Sequence, residues 1–347
     1  RRIGIVGDVV VSRLCGRSAH DHTSCALTLL HNPATGDYDA DLLDELGIRA
    51  AQLPPVMSPH QSAGPLLPDV ARATGLPSAI PVSPAIHDQY AAALGAGALE
   101  PGTVMIGAGT AWVLLGLADR LAPPVVDEAF VCPHLIDGLY GQLLSMVNGG
   151  SSLNWALELT GKTSVTAPEV DELIAAAPSG SDGLRFWPFM TPVPPTGLAN
   201  GLGGRLSGLQ LHHRQPHLLR AVVEGLACEL NRHLLILHAA GLPIRCVVMG
   251  GAVSESRATP QIIANTTGLP VRCMGRAAGS LLGAAILARH LTEPDRTLES
   301  LAAEMRGRGR LVEPNDQMPI YRALFDEYIS TLSTHALVGA GACPSPC

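Results

Sequence analysis

The chain has 347 residues, of which 47% are hydrophobic and 15% charged, with a formal net charge of -7. That length exceeds what one hydrophobic core ordinarily holds, so two domains are expected, and the apolar content excludes a disordered chain. The acidic balance excludes the basic face of a nucleic-acid-binding protein, and no apolar run reaches the roughly 18 residues that suggest a membrane span.

Taken in chain order, residues 3–14 read as a helix ending at Gly16. A polar loop is predicted over Asp21 to Ala26 and a short strand over Leu27 to Leu30, followed by a turn at Asn32-Pro33-Ala34-Thr35-Gly36-Asp37. Short helices are predicted at 41–46 and 68–74, stopped by Gly47 and Gly75, with a Pro-rich segment over 51–65 between them. Ile86-His87-Asp88-Gln89 then opens a small-residue helix that runs to Gly97.

An apolar strand at Thr103 to Ile106 breaks at Gly107-Ala108-Gly109-Thr110. Segments 130–135 and 139–147 flank Asp137-Gly138, a hairpin signal. Gly149-Gly150-Ser151-Ser152 starts a helix containing Trp155, and further helices are expected at 168–177 and 216–240. In the last of these, Leu219, Val222, Val223, Leu226, Leu230, Leu234 and Leu237 recur at three- and four-residue spacing, which buries one face. A strand at 244–249 runs into Gly250-Gly251 and then a helix at 260–267. A strand at 271–274, an Ala-rich helix at 278–290 and an amphipathic helix at 315–332 complete the pattern. Alternating strands and helices make the class α/β.

Eight cysteines occur without a CxxC pair, so no zinc ribbon or dithiol redox motif is supported, and a reduced, cytoplasmic setting is expected. No signal peptide is visible. The chain begins Arg1-Arg2 without Met, which suits a piece of a longer polypeptide. Gly161-Lys162-Thr163 mimics the end of a phosphate-binding P-loop, but the first glycine of that motif would fall on Ala156, within a helix, so Gly161 reads as a helix stop. His20, His22, His212, His213 and His217 lack the spacing of a zinc site and are expected on a solvated surface.

Two segments carry possible chemistry. Asp88 at a helix start can take a proton from a hydroxyl, and the backbone of Gly109-Thr110 can hold phosphate oxygens. The same residues also suit a plain helix cap and a plain turn. Gly250-Gly251 between a strand and a helix suits close approach to a phosphate-bearing ligand, or simply a tight turn.

The order of these motifs resembles the FGGY family of carbohydrate kinases, in particular its xylulokinase-like members. Asp8 to Gly16 is similar to the family's D-x-x-x-x-x-L-T-G helix end, and Asp21 to Leu30 with Thr35-Gly36-Asp37-Tyr38-Asp39 resembles the run that follows it. His87-Asp88-Gln89 with Ala93-Leu94-Gly95-Ala96-Gly97 looks like G-D-Q…A-L-G-A-G, and Gly109-Thr110-Ala111 like G-T-S. Arg220 to Gly225, Gly250-Gly251-Ala252 with Gln261 to Ala264, and Gly283-Ala284-Ala285 match further segments in order.

The resemblance implies an actin/hexokinase-like (ribonuclease H-like) two-domain ATPase fold. Residues 1–101 would be the later part of a sugar-binding domain, 102–335 a nucleotide-binding domain, and 336–347 a disordered tail. It implies Asp88 as general base, His87 and Gln89 at the sugar, and Gly109, Thr110, Gly208, Gly250, Gly251 and Glu255 at the nucleotide. The implied ligands are ATP with Mg²⁺ and a pentulose-like sugar, with no membrane or nucleic-acid partner and with room for a homodimer. The family's opening Asp-x-Gly-Thr loop has no counterpart, so the first domain is expected to be incomplete. His87 stands where the family has Gly, and Ala111 where it has Ser. A non-catalytic nucleotide- or sugar-binding remnant and an actin-like ATPase are the alternatives.

Overall fold

The computed structural model describes residues 3–146, 148–162, 164–191, 203–275 and 279–339. The first part is made of short elements: α1 (Val6–Cys15), α2 (His22–Ala26), β1 (His31–Asn32), β2 (Asp37–Tyr38), α3 (Ala40–Glu45), β3 (Gly64–Pro65), α4 (Pro68–Thr74), β4 (Pro81–Val82) and α5 (Asp88–Ala96). Two-residue strands close only small ladders, β1 with β2 and β3 with β4. The apolar residues here are correspondingly few, and Val11, Cys15, Ala63, Leu66 and Val82 form a core of their own.

The predicted loop at Asp21 to Ala26 is instead α2. Asp21 caps it, its side chain accepting from Ser24 N–H, and a capped start lets a polar stretch turn helical. The predicted strand at Leu27 to Leu30 is a turn in which Leu29 takes a φ of 60°. Its apolar composition suited a strand, but the chain reverses there.

The second part is built on one seven-stranded sheet. Its elements are β5 (Thr103–Ala108), β6 (Trp112–Ala118), β7 (Phe130–Pro133), β8 (Tyr140–Ser145), α6 (Gly150–Leu159), α7 (Ala167–Ala175), β9 (Arg185–Trp187), β10 (Arg205–Ser207) and α8 (Gln215–Ala239). They are followed by β11 (Cys246–Gly250), α9 (Ala258–Thr267), β12 (Val271–Cys273), α10 (Ser280–Thr292), α11 (Leu298–Met305), β13 (Arg310–Val312) and α12 (Met318–Gly339). The strand order is β13-β12-β11-β5-β6-β8-β7, with β11 parallel to both β5 and β12 and the remaining pairs antiparallel.

Strand β5 shows why the sheet is central. Successive side chains point to opposite faces, and both faces are covered. Val104 and Ile106 join the core beneath α8, whose predicted stripe from Leu219 to Leu237 is buried there. Met105 joins the opposite core, formed by α5, α10 and α11. Helix α5 therefore packs on the sheet of the second part, with Tyr90, Ala93 and Leu94 buried against Met105, Leu115 and Ile286. Helix α11 and strand β13 are additions to the sequence reading, and α12 continues to Gly339 through the start of the segment expected to be disordered. Residues 340–347 lie outside the described residues.

Candidate active site

Strands β5 and β11 run parallel with Gly107 opposite Gly250, so the loops leaving their carboxyl ends stand side by side. Ligands of open α/β sheets sit outside such ends. A cleft of about 310 Å³ lies here, lined by Asp88, Gln89, Gly107, Gly109, Ala111, Gly250, Gly251, Ala252, Gly279 and Ser280, among others. Five of the predicted site residues, far apart in sequence, thus share one cavity.

Gly251 has φ 85° and ψ -178°, a conformation open only to glycine, and a Cβ there would sit 3.4 Å from the Ala108 carbonyl. The glycine pair therefore holds the cleft wall as bare backbone. Loop 109–111 is pinned from behind by α6. Gly150 N–H donates to Gly109 O at 3.0 Å and Ser151 N–H donates to Thr110 O at 3.0 Å. This uses α6 donors on protein carbonyls and leaves the other side of the loop facing the cleft. Thr110 is exposed, between two residues that line the cavity.

Helix α5 delivers the acid. The cap is His87 rather than Asp88: His87 Nδ1 accepts from Gln89 N–H at 3.0 Å, and Asp88 is the first helical residue. An Nδ1 that accepts an N–H carries no proton of its own. Burial lowers the His87 pKa, against the opposing pull of Asp88. The 3.2 Å approach of His87 Nδ1 to Asp88 Oδ1 is therefore a contact of a neutral ring with a carboxylate. Asp88 remains 73% exposed at the cleft. Gln89 lies over β5, where its Oε1 would be 2.6 Å from a Cβ at Gly107.

The helix opposite α5 supplies a feature that the sequence reading missed. Gly279 and Ser280 start α10 at the cleft, and Gly279 caps it without a side-chain hydrogen bond. A helix N-terminus of this kind favours negative charge. The signal was present as Gly279-Ser280 before an Ala-rich run, but only the packing of α10 on α5 turns that end toward Asp88. Gly95 and Gly283 let the two helices approach at backbone distance.

Besides Thr110, two predicted nucleotide residues lie outside this lining. Gly208, at φ 76°, packs against the Gly183 carbonyl beyond β10, and Glu255 is exposed at the end of the short turn after Gly251. His20 is buried, contrary to the surface expectation. Its Nδ1 faces Asp8 Oδ1 at 2.9 Å and its Nε2 faces Tyr38 Oη at 2.8 Å. The sequence did not reveal that partner because Asp8 lies on α1, 12 residues before His20 in the chain.

Among the described residues, no cluster of three or more His, Cys, Asp or Glu could hold a metal ion, and no helix is long and apolar enough to cross a membrane. A single exposed carboxylate beside phosphate-sized backbone walls fits Mg²⁺ carried by a nucleotide, since that ion is commonly held by one or two carboxylates together with substrate phosphates.

The sequence patterns of the FGGY family of carbohydrate kinases match here in both parts, the N-terminal domain over residues 1–95 and the C-terminal domain over residues 104–291. The chain is 26% identical over 330 residues to the xylulose kinase of Bacillus subtilis, covering 94% of this chain and 66% of that protein. It is 27% identical over 303 residues to the xylulose kinase of Escherichia coli, covering 86% of this chain and 61% of that protein. The crystal structure of xylulose kinase from Rhodospirillum rubrum superposes with a TM-score of 0.82 at 26% identity, over 94% of this chain and 66% of that one. The chain thus spans less than two thirds of the length of these relatives. Its α/β architecture is the actin/hexokinase-like fold of such kinases, and the chain belongs to the FGGY family of carbohydrate kinases.

Proposed function

We propose that the full-length protein transfers the γ-phosphoryl group of ATP to a hydroxyl of a sugar, with a pentulose of the xylulose type as acceptor. The observation that carries this reading is the meeting of Asp88 with the glycine turns at Gly109 and Gly250-Gly251 in one cleft. The family supplies the reaction class, and the xylulose kinases among the relatives suggest the sugar.

Phosphoryl transfer asks mainly for positioning and for charge stabilisation. In this reading Asp88 removes the proton of the acceptor hydroxyl as its oxygen forms a bond to the γ-phosphorus and the bond to the ADP oxygen breaks. Backbone N–H groups of Thr110, Ala111 and the start of α10 meet the phosphate oxygens, since Gly109 N–H already donates to Gly107 O at 3.1 Å, and Gly250-Gly251 admits the nucleotide close to the backbone. Gln89 orients the sugar from the next position of α5. Mg²⁺, bound with the nucleotide, would supply positive charge to the phosphates, and Asp88 is the carboxylate lining this cleft that could help hold it.

The test is Asp88→Asn in the full-length protein. Loss of a general base lowers the rate about 10²–10⁴-fold. A variant retaining near-normal transfer to its best sugar would remove Asp88 from that role. A panel of pentuloses and polyols with ATP would define the acceptor, and absence of any sugar-dependent turnover would overturn the reading as a whole.

A further inference from the structure

Asp21 is fully buried, and its hydrogen bonds lead through Thr23 to His87, the residue before Asp88. Asp21 N–H donates to Ala85 O at 2.9 Å, tying α2 to the segment that enters α5. Asp21 Oδ1 accepts from Thr23 Oγ1–H at 2.7 Å and from Ser24 N–H at 3.0 Å. Thr23 Oγ1 in turn accepts the N–H of His87 at 3.0 Å. A hydroxyl has one hydrogen, and Thr23 gives it to Asp21, so a lone pair of the same oxygen receives His87 N–H. The bonds are thus polarised in one direction, from the backbone at His87 through Thr23 to Asp21.

The second carboxyl oxygen sharpens the point. Asp21 Oδ2 is buried and has no hydrogen-bond partner. A cap for the five-residue α2 needs only one acceptor, which Ser would supply without burying a second, unpaired polar atom. Burying that oxygen has a cost that the cap alone does not account for. Burial raises the acid to about 6, so near neutral pH the carboxyl is ionised and its bond to Thr23 is charge-assisted.

We propose that Asp21 is a positioning residue for phosphoryl transfer: through Thr23 its carboxyl group fixes the backbone at His87 and so the direction in which Asp88 faces the cleft. This rests on Asp88 acting as the base. His87 precedes Asp88 directly, and a shift of the order of 1 Å at a reacting group costs about 100-fold in rate.

Thr23→Val, nearly equal in volume, breaks the link, Thr23→Ser keeps it, and Asp21→Asn keeps the Oδ1 acceptor while removing the charge. In the full-length protein, Thr23→Val is expected to lower kcat roughly tenfold or more with the KM for ATP within about twofold, because the nucleotide walls lie on other elements. Thr23→Ser restores kcat, and Asp21→Asn loses only a few-fold. Amide hydrogen exchange at His87 speeds up in Thr23→Val and not in the two conservative variants. Unchanged kcat and unchanged His87 exchange in Thr23→Val would overturn the proposal, as would an equal loss in Thr23→Val and Thr23→Ser. If the unmodified protein phosphorylates no sugar, it is the reading of Asp88 that has failed, and exchange at His87 then decides by itself whether Asp21 and Thr23 hold the segment.

Discussion

Gly107 on β5 lies directly beneath the carboxamide of Gln89, and a Cβ at 107 would stand 2.6 Å from Gln89 Oε1. The obstructed atom is the far end of a flexible side chain, so Gly107→Ala is expected to fold and to displace Gln89 instead. Stability should change by less than about 1 kcal/mol, in keeping with a Gly-to-Ala exchange in regular structure. The KM for the sugar should rise several-fold while that for ATP holds. Steady-state kinetics against both substrates, with a thermal melt as control, checks the separation.

The contact between α5 and α10 predicts the opposite balance. A Cβ at Gly283 would overlap the Ala91 carbonyl, and one at Gly95 would lie 2.6 Å from Gly279 O. Both obstacles are backbone, which cannot rotate aside. Gly283→Ala should cost about 1–3 kcal/mol, the range for overpacking, and should lower the melting temperature by several degrees. It also moves the start of α10, which lines the cleft, so activity falls in the fraction that remains folded. Calorimetry and kinetics on the same preparation would show both effects, and an unchanged melt would refute the close packing.

The Arg220–Glu224 pair locks α8 to α12. Arg220 Nε donates to Glu224 Oε1 at 2.9 Å, and both side chains are buried. Arg220 also donates to Tyr321 Oη at 2.6 Å and to the carbonyls of Ile174 and Ala177. Glu224 accepts from Gly180 N–H and Ser181 Oγ–H. Removing one partner strands a buried charge, so Glu224→Leu should cost about 3–5 kcal/mol. The double variant Arg220→Met with Glu224→Leu should recover part of that loss, because no unpaired ion remains. Urea unfolding of the two singles and the double would measure the coupling.

Acid stability should reflect two buried groups with opposite signs. His134 Nδ1 accepts from Ile136 N–H at 3.1 Å, and burial lowers the ring to about 3 from an ordinary 6.5. The unfolded chain therefore takes up a proton before the folded one does. Stability from this group is complete above pH 6.5 and is lost as pH falls toward 3, at up to about 1.4 kcal/mol per pH unit. Asp21, raised from 3.8 to about 6, works the other way, since the folded chain holds the proton first. Its contribution is present below pH 3.8 and is lost as pH rises through 6. His134→Asn, whose Oδ1 stands in for the accepting nitrogen, should flatten the decline between pH 6.5 and 4.5, and Asp21→Asn should steepen it. Urea titrations across that interval would test both signs.

The sequence by itself settled what depends on short-range chemistry. The three- and four-residue spacing in α8 placed its buried face, the apolar run at 103–106 placed β5, and the glycines at 250 and 251 placed the break after β11. The ordered motifs, read as a resemblance, led to the family and to the actin/hexokinase-like fold. Local rules failed where a partner lay far away in the chain. His20 was expected on the surface until Asp8 and Tyr38 closed around it, and Asp21 to Ala26 was expected as a loop until the cap formed. The cleft itself is a product of tertiary structure. Parallel pairing sets Gly107 beside Gly250, and glycine-to-backbone packing brings α10 against α5. Asp88 was visible as an acid at a helix start. That His87 supplies the cap, leaving the carboxylate exposed at the cleft with the glycine turns, was decided only when distant segments met, because burial and hydrogen bonding belong to the assembled core and not to any one stretch of chain.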